Sequence, residues 1–264
     1  MSNIKYLIAT ITICGAVSNA VANQYGTYDQ EEIPDTVVVD EPIAAPTDPR
    51  MYDTSDPMYM LSIEEILSET TLNFSEDVLR AGQYLSYGIN NRLTIGANIH
   101  YQVDFSGPED GFSSIDLGGK YRMTRATDTD SHIISDVLFG FKFAGSSHVR
   151  TPWFADSQYY AGLRIGRQWA GVTLAGTIKS NWIFDKTRGM SYIDFIPEIY
   201  FRLNPDWRIG FDATIRKSTN PDYDQEWVNF KLVRQYGRTQ YIGHVGYEFE
   251  NENVLFGLKL NILF

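Results

Sequence analysis

From residue 66 to the end, apolar and polar residues alternate. Val254, Phe256, Leu258, Leu260, Ile262 and Phe264 share one face, and Asn253, Leu255, Gly257, Lys259, Asn261 and Leu263 share the other. The preceding stretch sets Tyr241, Gly243, Val245, Tyr247 and Phe249 against His244, Gly246, Glu248 and Glu250. A period of two belongs to a strand whose faces meet different surroundings. The pattern recurs in about twelve segments: 66–75, 78–89, 92–105, 112–125, 132–145, 156–169, 171–184, 190–204, 206–218, 225–236, 239–250 and 253–264. Most are far longer than the ~5–6 residues usual for globular strands. They exceed even the ~9–11 residues with which a tilted strand crosses a bilayer.

The connections alternate too. Asn90-Asn91, Ala170, Pro205 and Gly237-Arg238 are tight, whereas 106–111, 146–153, 185–189 and 219–224 are longer. This predicts an all-β fold, a closed antiparallel up-and-down transmembrane barrel with short turns at one end and longer loops at the other. An even strand count puts both termini at the short-turn end, expected to be periplasmic. Three connections depart from the rule: 126–131 is long for its side, and Glu76-Asp77 and Asn251-Glu252 are short for theirs. Tyr87, Tyr101, Trp153, Tyr159, Trp169, Trp182, Tyr192 and Trp207 fall near strand ends, where an interfacial aromatic girdle belongs. A soluble sandwich would also alternate, but would need neither such strands nor such girdles.

The terminal Phe264, with Ile262 and Leu260 at alternate positions before it, resembles the C-terminal assembly signal of Gram-negative outer-membrane β-barrel proteins. The resemblance is to the class, that of small porin-like or channel-like barrels. It implies outer-membrane lipid and lipopolysaccharide as surroundings, and the barrel-assembly machinery as a partner of the last strand.

Composition sharpens this picture. The net charge is −11 and the mean hydropathy −0.26, and aromatic residues make up 14% of the chain. An acidic balance disfavours nucleic-acid binding, and that aromatic share disfavours a disordered chain. Lys5, the apolar stretch Tyr6–Cys14 and Ala20-Val21-Ala22 make residues 1–22 a secretory signal peptide. Cys14 follows Ile13 rather than a small residue, which breaks the lipoprotein pattern, and cleavage would remove the only cysteine. Neither a cofactor nor a metal site is expected.

Residues 23–65 hold eleven acids, one base (Arg50) and five prolines, which reads as an extended periplasmic tail ahead of a nearly neutral barrel, residues 66–264. Ser62-Ile63-Glu64-Glu65 matches a capping box, predicting a short helical turn. Asp35-Thr36-Val37-Val38-Val39 resembles a TonB box, a strand-adding segment that would make TonB a partner; a chance apolar patch is the plainer account. The tail could also fold back to occlude a basic lumen.

With apolar positions toward lipid, Arg80, Arg92, Lys120, Arg122, Lys142, Arg164 and Lys179 line one net basic wall with Asp104, Asp116 and Asp136. The other wall carries Glu69, Asp194, Glu198, Asp212 and Glu248 with Arg202, Arg208, Arg216, Lys231 and Lys259. The expected function is a pore for passage or uptake of a small polar solute, with a mild anion preference. The alternatives are mutual pairing of these charges in a non-conducting structural or surface barrel, and an outer-membrane hydrolase. His100, His132, His148 and His244 all lack a serine two residues on, which disfavours the hydrolase; His244 with Asp212 is the one pairing left open.

Overall fold

The computed structural model describes residues 52–124, 133–146, 154, 156–169, 171–184 and 190–264. The signal peptide, the TonB-box-like residues 35–39, Trp153, His132, His148 and the 126–131 connection lie outside these residues.

The chain forms one antiparallel sheet that closes on itself. The strands are β1 (Ile66–Phe74), β2 (Val78–Asn90), β3 (Leu93–Asp104), β4 (Gly111–Phe112), β5 (Ile115–Arg122), β6 (Ile134–Phe143) and β7 (Gln158–Gln168). They continue as β8 (Val172–Ile183), β9 (Met190–Arg202), β10 (Trp207–Ser218), β11 (Gln225–Tyr236), β12 (Thr239–Glu248) and β13 (Asn253–Leu263). The two-residue β4 adds a rung on β3, so twelve strands build the wall. The seam joins β1 to β13, from Leu67 opposite Leu263 to Phe74 opposite Phe256. Closure leaves no open sheet edge in the bilayer, where an unpaired backbone group costs several kcal/mol.

Alternation survives in side-chain exposure. Val254, Phe256 and Leu258 stand exposed on the outside, as do Phe139, Phe141, Phe143, Ile193, Phe195, Phe211 and Phe230. Such an apolar exterior suits hydrocarbon and not water. At the loop end Tyr159 stacks on Trp182 with ring centroids 4.6 Å apart, and Phe184 lies 4.9 Å from Tyr159. Trp207 faces out at the termini end, with the Arg234 guanidinium 5.1 Å from its ring.

Tyr192 departs from the girdle expectation. It sits opposite Asn181 and Ser218 on the inward face, buried, and donates its hydroxyl to Gln158 Oε1 at 2.8 Å. The predicted 112–125 strand is also interrupted. At Ser113 the side chain takes over a ladder role: its Oγ accepts the His100 N–H while its own N–H donates to His100 O, both at 2.8 Å. Pro197 lies mid-strand in β9, and the β9–β10 register omits Ile196 and Pro197, because proline has no N–H to give.

The Ser62–Glu65 capping pattern closes a single turn rather than a helix. Glu65 Oε2 accepts the Ser62 N–H at 2.7 Å, and Glu64 takes the left-handed φ of 66°. The turn is stitched to β2 by Glu64 N–H to Gly88 O (2.8 Å) and Gly88 N–H to Glu65 O (2.9 Å). A Cβ at Gly88 would stand 1.8 Å from Ser62 O, a backbone atom that cannot rotate away. Gly88→Ala should therefore lift this turn off the wall at a cost of about 1–3 kcal/mol, read as a lower urea midpoint for the detergent-folded barrel.

Candidate functional site

Register fixes which side chains share the interior. Arg80 faces Gln102; Lys120 faces Thr94 and Leu138; Asp136 faces Arg122 and Arg164; Lys179 faces Gly162 and Asp194; Asp212 faces Glu198 and Asn229. Lys142 and Glu248 are inward as well, opposite Asp116 and Trp227. Arg92 lies in the β2–β3 turn at the termini-end rim, one residue short of the wall. The interior has three tiers: a plugged termini end, a central cavity and a packed loop end.

At the termini end, residues 52–61 lie inside the barrel. Asp53 is fully buried and collects donors from across the lumen: Arg202 Nε at 2.9 Å, Arg208 Nε at 3.1 Å, the Tyr200 hydroxyl at 2.7 Å and Gln240 Nε2 at 3.0 Å. Asp56 accepts from Arg202 Nη2 at 2.8 Å and the Thr173 hydroxyl at 2.6 Å. These partners sit at the termini ends of β8, β9, β10 and β12, where an even strand count brings them together. Buried carboxylates at this depth require such pairing. Thr54 donates to Gln240 Oε1 at 2.7 Å and accepts from Asn261 Nδ2 at 3.0 Å.

The opposite, basic side of the wall holds the main chain of the same segment. Arg164 Nη1 donates to Pro57 O at 2.8 Å, Arg122 Nη2 to Met58 O at 2.5 Å, and Lys120 Nζ to Tyr59 O. Met58 is buried, and Leu61 packs on Leu67 and Leu263 at the seam. The last residues of the predicted linker are thus ordered inside the barrel. Sequence reading missed Asp53 and Asp56 as site residues. Their only signal was acidity next to a barrel whose strands end in Arg202 and Arg208.

Above the plug lies a cavity of about 550 Å3, lined among others by Lys179, Lys231, His244, Lys259, Glu69 and Asp212. Its charges are largely paired. Lys259 bridges Glu69; Lys231 bridges Asp212; Asn229 Nδ2 donates to Asp212 at 2.8 Å. Lys231 lies opposite His244, and it bridges the Asp212 carboxylate from the diagonal position, so the carboxylate left open as a partner for His244 is held by a lysine instead.

The loop end is packed by Asp194, which accepts Arg216 Nε at 2.7 Å with Lys179 Nζ 3.7 Å away. The Arg216 guanidinium lies 4.3 Å from the Tyr192 ring. Arg80 donates to Gln102 Oε1 at 2.9 Å and sits 4.9 Å from the ring of Phe154, which the β6–β7 connection brings inside. Gly140 leaves room for Tyr160: a Cβ there would come within 2.4 Å of the phenol ring. On the β10–β11 connection, the Ser218 N–H donated to Asp224 at 2.7 Å is the main reason its carboxyl titrates below the ordinary range, helped by Lys217.

No protein-family model matches the sequence, and no curated protein does. Solved structures do. The KdgM porin in complex with disordered oligogalacturonate matches at 12% identity and a TM-score of 0.57, over 74% of this chain and 98% of that one. The NanC porin matches at 8% identity and 0.58, over 75% and 98%. The COG4313 outer membrane channel from Pseudomonas putida F1 matches at 9% identity and 0.54, over 78% and 97%. At these identities the likeness is one of fold. The chain is a closed twelve-stranded antiparallel barrel whose fold is similar to that of these outer-membrane proteins.

The Asp194 cluster yields a stability test. Asp194→Ala would strand the buried Arg216 charge and should cost about 3–5 kcal/mol in urea unfolding, with the loop end loosened first.

Proposed function

We propose that this protein is an outer-membrane pore for small polar solutes, with its termini in the periplasm. The observation that carries this is the lumen: ionisable side chains of both signs face a cavity of about 550 Å3 inside a wall whose exterior is apolar. A purely structural barrel could fill itself with apolar side chains, since an eight-stranded one already closes with packed side chains. Twelve strands leave a cavity here, and its lining is charged.

The anion preference rests on this chain's own cations. Lys120, Arg122, Arg164, Arg202 and Arg208 all donate to residues 53–59, which are not part of the wall. Among the described residues, Arg80 donates to Gln102 and lies against the Phe154 ring. Arg122 is bridged by Asp136, Arg164 by Glu198, and Arg202 and Arg208 by Asp53. The positive surplus therefore rests on Arg80, Lys120 and Lys142, for which the described residues show no ion pair, and that surplus favours anions. The KdgM porin, of similar fold, is seen in complex with disordered oligogalacturonate.

Planar-bilayer recording of the folded protein should give discrete channels whose reversal potential in a salt gradient reports anion preference. Lys120→Gln with Lys142→Gln should move that potential toward cations. Folded protein that never conducts would favour the non-conducting surface barrel. Export by a cleaved signal peptide is checked separately: the mature chain should begin at Asn23.

A further inference from the structure

Residues 52–61 are not wall, yet they take up much of the hydrogen-bonding capacity at the termini end of the lumen. Five of the wall's cations bind them: Arg202 and Arg208 hold the Asp53 carboxylate, Arg202 also holds Asp56, and Arg164, Arg122 and Lys120 hold three consecutive carbonyls. This is how a barrel would hold an anionic, hydrogen-bond-accepting solute. The segment also folds back on itself, with Asp56 N–H to Asp53 O at 3.0 Å and Tyr59 N–H to Asp56 O at 2.9 Å, so it enters as a compact unit.

Its attachments differ at the two sides. Beyond Leu61, the Ser62–Glu65 turn is bonded to β2 by main-chain hydrogen bonds and runs directly into β1. From Tyr52 to Tyr59 the contacts with wall strands are side-chain bonds or bonds to side chains, with apolar anchoring from Met58 and from Tyr52 and Tyr59, which pack on the Leu61–Leu67–Leu263 cluster. Release therefore breaks no rung of the barrel, and the left-handed Glu64 turn stays in place as the pivot.

We propose that residues 52–61 are a tethered plug that closes the termini end of the pore, latched by Asp53 and Asp56 on Arg202 and Arg208. The inference rests on the pore function above and names how that pore is regulated. Among the described residues the obstruction at the loop end includes side chains such as Arg80 and Lys142, which can swing aside about single bonds. At the termini end it is main chain, so the latch decides whether solute passes. The plug also sets selectivity, since its two carboxylates neutralise Arg202 and Arg208 while seated. Losing the two carboxylates leaves these arginines buried and unpaired, which favours water entry and departure of the segment.

The test compares four proteins in planar bilayers, each first shown to be folded by its heat-modifiable gel mobility. They are the wild type, Asp53→Asn with Asp56→Asn, a chain lacking residues 52–61, and Thr54→Cys with Asn261→Cys in a Cys14→Ser background. The wild type should conduct weakly or flicker. The latch double variant and the deletion should conduct severalfold more, with reversal potentials shifted further toward anions. The cysteine pair should oxidise readily, lock the channel at its lowest conductance, and regain wild-type behaviour on reduction. Equal conductance and selectivity in all four would overturn the plug while leaving the pore intact. A cysteine pair that stays reduced in the folded barrel would overturn the seating of the segment. No current from any folded protein, the deletion included, would overturn the pore and the plug together.

Discussion

Everything in this molecule follows from one demand: no main-chain N–H or C=O may face hydrocarbon without a partner. The β1–β13 seam meets it by closing the sheet. Closure fixes an inside and an outside, and the period of two then sorts every wall residue to one or the other. Apolar side chains go out because lipid surrounds them, and charged ones are left facing a narrow interior. That interior is where the chemistry has to be resolved, because a charge inside a protein wall must find a counter-charge, a dipole or water.

The three tiers resolve it differently. The loop end uses side chains from neighbouring strands, as in the Asp194–Arg216 pair across β9 and β10. The centre uses pairs of the same kind, Lys259 with Glu69 and Lys231 with Asp212, around open space. The termini end cannot pair within the wall alone. Arg202 and Arg208 come from adjacent strands and lie directly opposite one another in register, like charge facing like. Asp53 sits against both and removes that repulsion, so the plug is an electrostatic completion of the barrel as well as an obstruction in it.

Much of this was legible in the sequence. Alternation located the twelve wall segments and the inward position of Arg80, Lys120, Asp194 and Glu248, because the contrast between lipid and lumen is written into every second residue. Local substitutions were not legible. The Ser113 hydroxyl replaces a ladder partner without changing any hydrophobic pattern. Tyr192 carries an amphipathic side chain that fits an interfacial girdle and a polar lumen equally well, and only Gln158 settles the choice. The seat of Asp53 was beyond reach for a different reason. Its arginine partners are 149 and 155 residues away, and in an acid-rich stretch with several prolines one aspartate looks like the next. The general idea that an acidic tail could enter a basic lumen was available; which carboxylates do so was not.

The place of the plug in the chain matters as much as its contacts. It precedes the first strand, and that strand belongs to the seam. A constriction built from a loop between two strands is pinned at both ends and can only bend within the channel. This one runs into the wall through its C-terminal side, so it can be seated or withdrawn as a whole by motion of the chain ahead of it. Anything that grips that chain from below the barrel would hold the one handle that moves the obstruction without deforming the wall.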